Sequence, residues 1–76
     1  MTIRFDIAGP TSAELTIYSV DGRRVRVLGN QRWETGHYEV TWNGKDEGGE
    51  SVAAGTYFVR MKTPDGVKVQ KVTYTR

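Results

Sequence analysis

Catalysis, metal binding and recognition each need particular side chains at particular spacings, and this chain offers a few places to look. His37 is the only histidine. A general base has to sit within hydrogen-bond reach of a nucleophile or substrate proton, whereas the alternation around His37 places it on an outward face beside Glu39, with no acid or serine fixed by local spacing. It reads as a surface histidine. The loop from Asn43 to Ser51 carries Asn43, Asp46, Glu47 and Glu50, whose oxygens could address Ca²⁺. A calcium loop needs ligands at alternate positions, a fixed Gly and a closing bidentate Glu, and here Lys45 sits inside the series. The expectation is a solvated turn whose Asn and Asp side chains cap backbone amides, with no metal and no cofactor. The remaining candidates are contact residues, namely Trp33, Phe58, Arg60, Lys62 and Lys68. Arg60, Lys62 and Lys68, with Phe58, could form one basic strip on the final hairpin. That strip reads either as an edge kept apart from other strands by charge or as a stacking surface for nucleic acid. Trp33 lies in a polar stretch and either folds over the open end of the fold or stands out as an anchor for a partner or sugar ring.

Composition limits what these residues can do. With 76 residues the chain is expected to form one domain over residues 1–76. There is no cysteine, which excludes thiol nucleophiles, thiolate zinc sites and iron–sulfur clusters. No apolar run approaches the roughly 20 residues that cross a bilayer, so no membrane role is expected. The net charge of +2 is too small to make nucleic acid the default partner. Its distribution is uneven: residues 1–42 are neutral, residues 43–55 sum to −2 and residues 56–76 to +4, which puts the basic excess on the last two strands. The first ten residues alternate like a strand and contain Asp6 where a signal peptide would need an apolar stretch. A signal for export would lie outside this chain, and Met1 directly against a strand suggests a start residue placed on an excised or designed domain.

The elements that must position these residues are strands, because the hydrophobic period is 2 nearly throughout. Ile3, Phe5 and Ile7 mark a first strand over 2–7, ended by Gly9-Pro10. Leu15 and Ile17 face one way in a second strand over 13–20, with Glu14, Thr16 and Tyr18 opposite. Asp21-Gly22 supplies the positive φ of a tight hairpin and leads to a third strand over 23–28, with Val25 and Val27 inward. Residues 29–36 read as a crossing loop. A fourth strand over 37–42 turns Tyr38, Val40 and Trp42 inward. After the polar loop, in which Val52 could dock on the core, a fifth strand over 56–63 places Tyr57, Val59 and Met61 on one face and Phe58, Arg60 and Lys62 on the other. Pro64-Asp65-Gly66 turns the chain into a sixth strand from Val67 to about Thr75. Its phase is ambiguous, because Val67 and Val69 fall on one face and Val72 and Tyr74 on the other, as a bulge near Gln70 or a change of exposure would produce. Six to seven short antiparallel strands with frequent turns predict an all-β, immunoglobulin-like antiparallel β-sandwich.

The run Thr35-Gly36-His37-Tyr38-Glu39-Val40-Thr41-Trp42-Asn43-Gly44, its acidic and glycine-rich continuation, and Val52-Ala53-Ala54-Gly55-Thr56-Tyr57-Phe58-Val59-Arg60 together resemble the FlgD-type immunoglobulin-like domain. The pattern there is a strand ending in Trp-Asp-Gly, an acidic loop, a Val, then Gly-x-Tyr and an apolar strand. Leu15 to Arg23 with Val25 looks like the second hairpin of the same family. The sequence departs from it at Asn43, where Asp is more usual, and at Trp33, where a small or apolar residue is. The resemblance implies a non-enzymatic domain of flagellar hook-capping or type IX secretion type, extracellular or at the cell surface, serving as a structural, assembly or secretion-associated module. It implies protein partners, either domains of a host protein or assembly partners, for a domain expected to be a monomer. A carbohydrate- or polyanion-binding sandwich using Trp33 and the basic C-terminal hairpin is the alternative.

Overall fold

A computed structural model describes residues 1–75. Six strands follow one another: β1 (Thr2–Ile7), β2 (Thr11–Ser19), β3 (Arg24–Trp33), β4 (Gly36–Thr41), β5 (Gly55–Thr63) and β6 (Gly66–Tyr74). All pairings are antiparallel. β1 and β4 form a two-stranded sheet, and the other four strands form a second sheet in the order β3-β2-β5-β6. This is the all-β sandwich that the period-2 alternation predicts. Ile3 and Ile7 from β1, Leu15 and Ile17 from β2, and Tyr57 and Val59 from β5 are buried between the sheets. The Asp21-Gly22 turn forms as its composition requires: Gly22 adopts φ 84°, where a side chain would be strained, and its amide donates to the Ser19 carbonyl at 3.0 Å.

Two expectations are corrected, and the open question about the last strand is answered. Residues 29–33 are not a crossing loop but the second half of β3, paired along β2 as far as Thr11↔Trp33, so the chain changes sheets within residues 34–35. Gly29, Asn30, Gln31 and Arg32 lack apolar alternation, yet the backbone ladder to β2 holds them, because an edge strand needs partners for its amides more than side chains for the core. The inward residues of β3 are Val25 and Leu28 rather than Val25 and Val27. The β2–β3 register shifts between Leu15 and Thr16 and again between Ile17 and Tyr18, and each shift inserts a residue that changes which side chains face in. No such shift occurs in β6, which pairs with β5 without interruption from Gly66 to Tyr74. Its two phases reflect exposure: Val72 and Tyr74 pack on the core, while Val67 and Val69 are 52% and 60% exposed on the other face.

Trp42 closes the junction of the sheets. It is 1% exposed, its indole N–H donates to the Lys45 carbonyl at 3.0 Å, and its ring lies 5.1 Å from both Tyr57 and Tyr74. Its amide donates to the Met1 carbonyl at 2.8 Å, and the Met1 ammonium donates back to the Trp42 carbonyl at 3.0 Å, which extends the β1–β4 ladder by one pair. Gly44 follows with φ 74°, and a Cβ there would collide with the Tyr74 hydroxyl, so the turn after Trp42 can bring its backbone against that ring only with glycine. Phe5, Trp33 and Tyr38 form a second aromatic group, with centroids 4.9 to 5.5 Å apart. Replacing Trp42 by Ala removes the largest fully buried side chain. The expected cost is about 3 to 5 kcal/mol, read as the shift in a urea unfolding curve, and an unshifted midpoint would contradict this account of the junction.

Candidate functional site

Residues opposed across an antiparallel ladder share a face, so the pairings lay out the outward surface of the four-stranded sheet as three rows. They read Asn30, Glu14, Lys62, Val67; then Val27, Thr16, Arg60, Val69; then Arg24, Tyr18, Phe58, Lys71. Arg60 lies at the centre of this face. Its guanidinium sits over the Tyr18 ring, 4.7 Å from the centroid, and its Nε is buried with no hydrogen-bond partner among the described residues. Beside it, Thr16 is 0% exposed and its hydroxyl donates to Glu14 Oε1 at 3.1 Å. Tyr18, Val20, Phe58, Arg60 and Val69 border a shallow depression of about 320 Å³, and Val20 is 70% exposed at its rim.

The candidate contact residues are therefore divided. Phe58, Arg60 and Lys62 do share one face. Lys68 does not join them, because it pairs with Met61, an inward residue of β5, and so faces the opposite side of the sheet. There it borders an open cleft of about 410 Å³ between β1 and the β5–β6 hairpin, together with Asp6, Met61 and Thr63. Of the two readings for Trp33, the inward one holds: the ring is buried against Phe5 and Tyr38, its indole N–H donates to the Ala13 carbonyl at 3.2 Å, and Gly29 leaves room for its edge. Val67 and Val69, which alternation grouped on one face of the last strand without saying which, belong to the outward face. The register that follows from a two-residue Pro64-Asp65 turn would have placed them beside Lys62 and Arg60.

His37 acquires a partner that no local spacing could reveal. It lies directly across the β1–β4 ladder from Asp6, with its Nδ1 2.6 Å from Asp6 Oδ1, and both side chains are exposed. The hydrogen bond to Asp6, and then its charge, raise the imidazole pKa above the ordinary 6.5. The next outward pair, Arg4 and Glu39, makes an exposed ion pair at 2.9 Å. A His–Asp pair holds a proton, but acyl transfer also requires a nucleophile in reach, and no such contact involves His37 among the described residues.

The acidic loop uses its oxygens on the backbone. Asp46 Oδ1 accepts from the amides of Gly48 and Glu50 at 2.9 and 3.0 Å, and Asn43 Oδ1 accepts from the Lys45 amide at 3.2 Å. The loop also lies along β3. The Glu47 amide donates to the Val25 carbonyl at 3.0 Å, the Val27 amide donates to Glu47 Oε1 at 2.5 Å, and Arg26 Nη1 donates to the Asp46 carbonyl at 3.0 Å.

Compared with known families, the chain matches the family model described as FlgD Ig-like domain over residues 1–67, which runs from β1 into the start of β6. No significant match is found among the curated proteins or among the solved structures.

Two measurements check these assignments. Because the folded pKa of His37 is raised, its pair with Asp6 favours the folded state fully below about pH 6.5 and ceases to do so as pH rises through the folded value. Asp6→Asn should therefore melt slightly below the parent at acid pH and together with it at alkaline pH; a difference independent of pH would rule the pair out as its cause. For the loop, melting with and without chelator should coincide. A bound cation at a hundredfold its Kd would add about 2.7 kcal/mol, which a thermal scan would register.

Proposed function

The chain belongs to the FlgD Ig-like domain family, a family of structural and assembly domains, and on that premise we propose that it is a non-enzymatic interaction module that docks against another protein, either a neighbouring domain of its host or an assembly partner at the cell surface. The observation that carries this reading is the outward face of the β3-β2-β5-β6 sheet, where an arginine stacked on tyrosine sits among exposed valines. Arginine and tyrosine are the residues that dominate binding energy at the centres of protein interfaces. The sandwich supplies rigidity, since three of the four strands bearing the face also send buried side chains into the core. Among the described residues no helix is long and apolar enough to cross a membrane.

The carbohydrate or polyanion reading loses one of its two contributors, because the Trp33 ring is buried and its N–H is engaged. Heparin chromatography and a glycan array separate the readings. The module should leave heparin near physiological salt and give no glycan signal. Firm retention or a glycan hit that disappears in Arg60→Ala would transfer the function to the alternative.

A further inference from the structure

We propose that the outward face of the β3-β2-β5-β6 sheet receives an acidic protein segment carrying apolar side chains, with Arg60 as its central anchor. The proposal rests on the interaction-module reading and names the chemistry of its partner. Three features of the face point to it. Arg24, Lys62 and Lys71 surround Arg60, and the one carboxylate in the three rows, Glu14, already accepts a hydrogen bond from Thr16. An incoming segment therefore meets rows in which cations outnumber carboxylates. Beside the charges lie Val67 and Val69, 52% and 60% exposed, and at the rim of the depression Val20, 70% exposed, which offer apolar contact that a purely ionic ligand would not use. Arg60 itself is held in one orientation in the free domain: its plane lies against Tyr18, and its Nε is buried beneath the face with no hydrogen-bond partner among the described residues. A guanidinium fixed in orientation is suited to a carboxylate, which the planar group can meet with two parallel hydrogen bonds from its terminal nitrogens.

The other occupants fit less well. A second copy would set Arg60 and the surrounding cations against their own kind. Nucleic acid binds such faces by stacking successive bases on several aromatic rings, and here the guanidinium covers the Tyr18 ring, which leaves Phe58 as the other aromatic of the three rows.

The test is selection of a random peptide library displayed on phage against the full chain, followed by fluorescence anisotropy of the selected peptides. Peptides enriched in Asp and Glu with interspersed Leu or Phe are expected, with affinity falling as salt rises. Arg60→Ala should weaken them about tenfold or more. Arg60→Lys, which keeps the charge and loses the planar fork, and Val69→Ser, at an exposed position, should each weaken binding with the near-UV circular dichroism unchanged. Asp6→Asn on the other sheet should not. Selection of neutral or basic peptides, or of none, overturns the proposal, as does affinity indifferent to both Arg60→Lys and Val69→Ser. In that last case the module reading survives with a different surface. If a heparin fragment or a single-stranded oligonucleotide binds more tightly than any peptide and depends on Arg60, both readings fall together.

Discussion

A two-stranded sheet has two free edges and only one face to bury, so β1 and β4 stay in place through what their inward side chains meet on the wider sheet. Trp42 carries most of that burden. It belongs to the chain just past β4, yet it contacts Tyr57 from β5 and Tyr74 from β6 and exchanges backbone hydrogen bonds with Met1 ahead of β1. Its N–H is satisfied by Lys45, which starts the acidic loop in a fixed direction. Burial of one large ring thus governs how the sheets meet and where the loop departs, while Gly44 must be glycine because its backbone lies against the Tyr74 ring. In so small a domain, with few fully buried side chains, a single ring of this size is a large part of the apolar area that opposes chain entropy.

The loop that leaves Trp42 covers β3, the first edge of the four-stranded sheet. The Glu47 amide donates to the Val25 carbonyl and its side chain accepts from the Val27 amide, so this part of the edge is closed to other strands. Beside the opposite edge strand, β6, lies the open cleft toward β1, where Lys68 and Asp6 supply charge. The two faces of β6 also differ. Val72 and Tyr74 join the core, while Val67 and Val69 extend the outward surface on which Arg60 and Tyr18 stack. The molecule is thereby polarised: one sheet presents exposed ion pairs, Arg4 with Glu39 and Asp6 with His37, and the other presents a cationic face with exposed aliphatic groups.

What was legible in the amino-acid order was whatever local periodicity and turn chemistry encode. The strands, the Asp21-Gly22 and Pro64-Asp65 turns, the inward positions of Ile3, Leu15, Ile17, Trp42 and Val59, and the amide-capping roles of Asn43 and Asp46 follow from alternation and from residues that tolerate tight backbone geometry. The family could be recognised on the same grounds, since its signature is a strand, a Trp and a glycine-rich turn in succession. Only the tertiary structure decided who stands beside whom. The two register shifts that exchange Leu28 for Val27, the pairing of Asp6 with His37 across 31 positions, the burial of Trp33 in a polar stretch, and the separation of Lys68 from Arg60 all depend on the pairing of strands remote in the chain. A strand's own residues fix its alternation but not its partner or its offset, and a shift of one residue moves every side chain to the other face.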